Sequence, residues 1–220
     1  DEIQNVINNA MNLGADNNHG HDYHKDVEDR FEMKMRNPIS THWDEIDSIT
    51  KGGLGKRELG VVVAPTGAGK SMALVHLGAM AVVKGKTVVH YTLELADTVV
   101  GQRYDSCITG IPLQNLMSMK DSIIEVVKHI PGQLIIKEYP TASAHCGHFK
   151  ALLQELKLKK SFIPDIIFVD YLNICASSRY RSAVNVNSYS YVKAIAEELR
   201  GLAVEASIPI CSATQTTRSG

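Results

Sequence analysis

A candidate phosphate-binding segment runs Ala64-Pro65-Thr66-Gly67-Ala68-Gly69-Lys70-Ser71. A lysine and a hydroxyl residue at the end of a glycine-rich turn form the arrangement that wraps phosphates. Gly67 and Gly69 supply the permissive backbone angles that let successive N–H groups turn inward on an anion. Lys70 then reaches the β- and γ-phosphates, and the Ser71 hydroxyl is placed to hold Mg²⁺. The usual pattern opens on glycine where this chain has Ala64, a mild departure because both glycines of the turn remain. Pro65, Thr66, Gly67, Ala68, Gly69, Lys70 and Ser71 are therefore expected to bind a nucleoside triphosphate with Mg²⁺. The alternative is a Gly/Pro turn that happens to precede Lys-Ser. The apolar β-branched run before it and the helical pattern after it argue against that.

Four further groups could complete such a site. Asp170 closes the apolar run Ile166-Ile167-Phe168-Val169, where a carboxylate can hold Mg²⁺ through water beside Ser71; an ordinary strand-ending Asp is the other reading. Glu94 ends the next apolar run after the phosphate loop. It could orient or deprotonate an attacking water, or be a surface glutamate before the following helix. Gln215, in Ser212-Ala213-Thr214-Gln215, could sense a terminal phosphate and pass its presence to an adjacent loop. Arg179 and Arg181 flank Tyr180 after the Asp170 run, a pairing that suits phosphate contact and base stacking as well as a solvated loop. Arg218 could likewise contact phosphate or DNA. The histidines of His19–His24 and of His145-Cys146-Gly147-His148 match no standard zinc spacing. The first group is expected in a linker and the second where a loop turns into a helix.

Positioning these groups requires strands that end together. Apolar runs over Leu59–Ala64, Thr87–Leu93, Leu134–Tyr139, Asp165–Asp170 and Pro209–Thr214 predict strands. Helical periodicity predicts helices over 70–83, 97–109, 113–129, Phe149–Leu158 and Tyr189–Ala206, with a short helix around Trp43, Ile46 and Ile49. Short apolar strands alternating with helices predict an α/β fold, a mostly parallel sheet with helices on both faces. Ligands in such sheets bind beyond the carboxyl ends of strands, where Glu94, Asp170 and Gln215 all fall. Upstream, Ile3, Val6, Ile7, Ala10 and Met11 predict an amphipathic helix over 2–12, broken by the polar stretch Gly14–Gly20. Residues 25–36 are charged and helical in pattern, so 1–37 is expected to be an arm and 38–220 the core.

The chain has 220 residues and a net charge of −1, with 44% hydrophobic residues. Those values suit one large globular domain carrying an arm and give no global basic field of the kind many nucleic-acid binders carry. A local basic patch in the pore of an oligomer remains compatible with them. Cys107, Cys146, Cys175 and Cys211 are widely spaced and read as free thiols in a reducing compartment. No apolar stretch approaches a membrane span and no signal peptide is visible. The chain begins without Met and stops at Thr217-Arg218-Ser219-Gly220, so a piece of a longer protein is expected.

Taken together, these stretches resemble the RecA-like C-terminal ATPase domain of replicative DNA helicases of the DnaB family (superfamily 4), including phage relatives. The resemblance covers about residues 38–220. Trp43–Leu54, with Lys51-Gly52-Gly53-Leu54, looks like that family's entry segment, and Ala64–Ser71 is similar to its Walker A. Tyr91-Thr92-Leu93-Glu94-Leu95 followed by Arg103 resembles its "SLEM…R" segment. Asp170-Tyr171-Leu172-Asn173 resembles its Walker B "DYLQ", with Asn in place of Gln. Thr214–Arg218 carries the Gln and Arg of "LSQLNR". The resemblance implies a catalytic role for Glu94, ATP contact through Arg103, and roles for Lys70 and Gln215 in turnover. It further implies cytoplasmic work on single-stranded DNA, in a bacterial cell or phage-infected host. It implies a homo-hexamer with ATP sites between subunits, closed by a linker helix such as 2–12. The family's arginine finger, supplied by the neighbour, falls outside this chain. A RecA/RadA-type recombinase, which shares the same nucleotide-site residues, and a KaiC-like regulatory ATPase without a DNA role stay open as alternatives.

Overall fold

The computed structural model describes residues 20, 22–25, 27–28, 36–180 and 187–216. The chain divides into two units, Asp1–Met35 and Arg36–Gly220, and the description below is of the second. The helix expected over 2–12, most of 25–36, and the loop residues Arg181 and Arg218 lie outside the described residues.

The second unit opens on a braced entry segment. Helix α1 (Asp44–Thr50) follows an extended Trp43. Burial alone would raise the Asp47 carboxyl, but hydrogen bonds from Ser40, Thr41 and His42 hold it below its ordinary range. Arg36 grips both Glu58 oxygens and the carbonyls of Thr50, Lys51 and Gly53, tying the loop after α1 to the first strand. Gly53 is required there on two counts: its φ is 107°, and a Cβ would sit 1.9 Å from the Ile39 carbonyl oxygen.

Then the alternation begins: β1 (Leu59–Ala64), α2 (Lys70–Val83), β2 (Thr87–Thr92), α3 (Asp97–Thr109), α4 (Lys120–Lys128), β3 (Gln133–Glu138), α5 (Cys146–Lys160), β4 (Ile166–Asp170), α6 (Ser188–Ala206) and β5 (Ile210–Gln215). The five strands form one sheet in the order β1-β5-β4-β2-β3, and every strand pair is parallel. Its two faces follow from the two-residue side-chain period of a strand. Val89, Tyr91, Ile167 and Val169 pack with Phe149, Leu156, Ile195 and Leu199 of α5 and α6. Val88, Ile166 and Phe168 pack on the opposite face with Leu74, Leu77 and Ala81 of α2. Runs buried on both sides are why these strands read as continuous apolar stretches in sequence.

The expected helix over 113–129 is corrected. It is interrupted: Leu113–Asn115 form a 3₁₀ turn after Pro112, and α4 starts only at Lys120. The periodicity is genuine, with Leu116 and Ile123 buried, but the chain turns between them. In α5 the helix starts earlier than expected, at Cys146, because the His145 ring accepts from the Gly147 N–H and His148 accepts from the His145 N–H. That pair of histidines is a helix cap. Among the described residues no cluster of His, Cys, Asp and Glu could hold a metal, and all four cysteines are free.

Candidate functional site

The turn between β1 and α2 is built from left-handed backbone. Gly67 has φ 76° and Gly69, which caps α2, has φ 91°. At both positions a Cβ would meet nothing within 4 Å, so backbone angle rather than space demands glycine. The first turn of α2 presents Lys70 and Ser71. The free N–H groups of a helix's first turn and the helix dipole favour an anion there. Lys70 Nζ donates to the Pro65 carbonyl at 3.2 Å and stands 5.7 Å from the centre of the Tyr171 ring.

Strand register brings the remaining groups to the same end. Ala64 of β1 lies opposite Gln215 of β5, and Thr92 of β2 lies opposite Asp170 of β4. Although β1 and β2 are separated by two strands, the phosphate loop, Glu94, Asp170 and Gln215 all emerge at the carboxyl end of the sheet. Glu94 is held in a pinned turn rather than a loose one. The Leu93 N–H donates to the Asp170 carbonyl, Thr141 Oγ1 to the Leu93 carbonyl, and Thr92 Oγ1 to the Leu95 carbonyl. A cleft of about 260 Å³ results, lined by Thr66, Gly67, Gly69, Lys70, Ser71 and Met72 from the loop and α2, together with Glu94, Arg103, Tyr171 and Gln215. Pro65 and Ala68 complete the turn, with the Ala68 N–H donating to the Pro65 carbonyl. A larger hollow of about 320 Å³ beside α5 and α6 is lined mostly by side chains such as Leu153, Phe162 and Leu202, and none of these groups converges on it.

Asp170 is the electrostatic oddity. It is 1% exposed, and among the described residues neither carboxylate oxygen makes a hydrogen bond of good geometry, although the neighbouring Ser71 hydroxyl favours its charged form. Burial raises its pKa, Ser71 offsets this, Glu94 adds to it, and Arg103 and Lys70 oppose it. A buried carboxylate without a well-formed hydrogen bond is costly in an apolar interior. A cation between it and the Ser71 hydroxyl relieves that cost, and two hard oxygen donors of this kind suit Mg²⁺. The residues present therefore fit a divalent cation at the edge of the cleft.

Sequence reasoning assigned no role to three groups. Tyr171, directly after Asp170, forms part of the cleft wall. Asn173 accepts hydrogen bonds from Thr214 Oγ1 at 2.8 Å and from the Gln215 N–H at 3.3 Å, and Gln215 Nε2 in turn donates to Thr66 Oγ1 at 2.5 Å. Behind the site, fully buried His90 shares a 2.9 Å hydrogen bond with Tyr104, and burial drives its pKa down to about 3, so it is neutral. Polar residues inside apolar runs were the available signal for His90; Tyr171 and Asn173 stood in the Walker B resemblance with no role attached.

Arg179 stands apart from the cleft's lining. Its guanidinium pairs with Glu197 of α6. The base of its loop is strapped to the same helix by Glu198, which accepts from Ser177 Oγ and from both the N–H and Oγ of Ser178.

Comparison with known proteins bears on the family and the fold. Residues 38–220 match the model of a family described as DnaB-like helicase C terminal domain. A DnaB-like replicative helicase of Enterobacteria phage T4 is 37% identical over 223 residues, covering 97% of this chain and 47% of that protein. The chain thus spans about half the length of that relative. A solved DnaB-like replicative helicase, described with its interactions with primase, superposes with a TM-score of 0.70 at 16% identity, over 100% of this chain and 54% of the other. A second solved structure, described as an ATPase domain, superposes at 0.68, also at 16% identity, over 88% of this chain and 69% of the other. At that identity the two structures speak for a shared RecA-like α/β fold. No helix among the described residues is long and apolar enough to cross a membrane.

Proposed function

The chain belongs to the DnaB-like helicase C-terminal domain family, and from that premise we propose that it is the motor of a replicative DNA helicase, coupling ATP hydrolysis to movement along single-stranded DNA. The observation that carries this reading is the convergence of Lys70, Ser71, Glu94, Arg103 and Gln215 on one cleft, with the buried Asp170 carboxylate behind it. The turn Pro65–Gly69 and Lys70 hold the phosphates of ATP. Ser71 and Asp170 hold Mg²⁺, which supplies charge neutralisation at the transferring phosphate. Glu94 takes a proton from the attacking water. Arg103 contacts the nucleotide and Gln215 senses its terminal phosphate. Residues 38–220 form the ATPase core and 1–37 the arm that links neighbours in a cytoplasmic homo-hexamer, with the finger arginine coming from the adjacent subunit.

Arg179, Arg181 and Arg218 are the proposed contacts to the DNA backbone, and the Arg179–Glu197 pair is suited to partner exchange. It is about half exposed and so contributes little stability, and a phosphate can take the carboxylate's place. Backbone contacts of this kind make binding steeply salt-dependent and nearly indifferent to sequence.

A forked duplex separates this reading from its rivals. The natural-length protein with ATP·Mg²⁺ is expected to displace the strand of a fork without exchanging homologous strands. Strand exchange without displacement would assign the site to a recombinase. Failure to bind single strands at low salt, in the assembled ring with ATP present, would assign it to a regulatory ATPase.

A further inference from the structure

Hydrogen bonding between β4 and β5 stops before the site does. Their register runs only as far as Val169 opposite Ser212, whereas β5 continues to Gln215 alongside β1. The Thr216 N–H turns toward β1 and donates to the Ala64 carbonyl. The Gln215 N–H goes instead to the Asn173 side chain. Asn173 lies in the 3₁₀ turn Leu172–Ile174, three residues after Asp170, and its Oδ1 also receives the Thr214 hydroxyl. One side-chain oxygen thus takes the Gln215 N–H in place of a strand partner and holds the Thr214 hydroxyl beside it. Those two residues aim the Gln215 amide, whose Nε2 donates to Thr66 Oγ1 in the phosphate loop.

From this chain of contacts we infer that Asn173 is a positioning residue for nucleotide discrimination. It fixes the Gln215 backbone so that the side-chain amide can pass from the Thr66 hydroxyl to the terminal phosphate of a bound nucleoside triphosphate. The exchange is favourable because a hydrogen bond to a charged phosphate oxygen is stronger than one to a neutral hydroxyl. It is productive only if the backbone beneath the amide stays in place, and the amide oxygen of Asn173 supplies that constraint from just beyond the strand that carries Asp170. A diphosphate offers no γ-phosphate to take the amide and should not feel the change. The inference rests on the proposed role of Gln215 toward that phosphate.

The test is equilibrium binding of ADP and of a non-hydrolysable ATP analogue, each with Mg²⁺, to the natural-length protein, read by displacement of a fluorescent nucleotide. Asn173→Ala is expected to lower the preference for triphosphate over diphosphate by about 5- to 10-fold, the equivalent of about one hydrogen bond, with ADP affinity changed less than about twofold. Thr214→Val, a milder change suited to a strand, is expected to lower the same ratio by about two- to threefold. It carries the test if the first variant folds poorly. Gln215→Ala should lose at least as much of the preference as Asn173→Ala. An equal loss for both nucleotides in the Asn173 and Thr214 variants, or an unchanged ratio while Gln215→Ala abolishes it, would overturn the role of Asn173 alone. An unchanged ratio in Gln215→Ala would remove the Gln215 reading on which the inference rests, and the inference with it.

Discussion

Asp170 shows how function sets the local energetics of a single residue. Its carboxyl is buried with no well-formed hydrogen bond among the described residues, and its pKa is raised from the ordinary value of 3.8, chiefly by burial. A raised carboxyl pKa means that the folded chain holds this proton more tightly than the unfolded chain does. Stability therefore falls as pH rises from the ordinary carboxylate value through the raised one, and the full cost is present at neutral pH. Asp170→Asn removes the charge and keeps the shape. We expect it to raise the thermal midpoint of the nucleotide-free protein at neutral pH, by about 2–4 °C for each kcal/mol recovered in a domain of this size. The gain should shrink toward acid pH, as the wild-type carboxyl takes up its proton. The same variant should lose the extra stabilisation that Mg²⁺ adds to nucleotide binding. A thermal scan at two pH values, with and without ATP·Mg²⁺, reads both effects. A lower midpoint together with intact Mg²⁺-dependent stabilisation would contradict the role given to Asp170.

At the scale of elements, the site exists because the strand order β1-β5-β4-β2-β3 brings ends together that sequence separates by about 150 residues. The packing beneath it is tight. Gly78 of α2 faces Tyr104 of α3, where an added Cβ would stand 2.0 Å from the tyrosine oxygen, and that hydroxyl is already committed to His90 of β2. α2 carries Lys70 and Ser71 while α3 carries Arg103, so this contact sets their spacing. Gly78→Ala should therefore destabilise by about 1–3 kcal/mol through overpacking, against a helix-propensity gain of about 1 kcal/mol. The urea midpoint should drop at constant m-value, with partial recovery when Tyr104→Phe is added. A midpoint equal to or above that of the wild type would show that α2 and α3 have room to separate. Much of this architecture could be read in advance. The phosphate loop, the five strands and the carboxylates at their ends are local patterns, with Gly69 marking where a helix starts and Asp170 where a strand stops. What could not be read depends on register and packing. The turn between Leu113 and Lys120 breaks a pattern whose apolar spacing persists through it. Asn173 acquires its role only because β4 and β5 part at Val169 and Ser212. The Arg179–Glu197 pair needs α6 folded back along the loop.

On the scale of the whole molecule, a net charge of −1 over 220 residues leaves no broad field to hold a polyanion. The proposed DNA binding would then draw on a few arginines brought together, as assembly of several copies around a strand would do. The central claim is that the cleft hydrolyses ATP and that single-stranded DNA speeds it. The most direct test is steady-state ATP hydrolysis by the natural-length protein, with and without single-stranded DNA, beside Lys70→Ala and Glu94→Gln. Strong stimulation by DNA is expected. Turnover should fall more than about 100-fold when the phosphate-binding lysine is removed, and about 10²–10⁴-fold when the general base is neutralised. Turnover indifferent to DNA, or a Glu94→Gln variant as fast as the wild type, would contradict that claim.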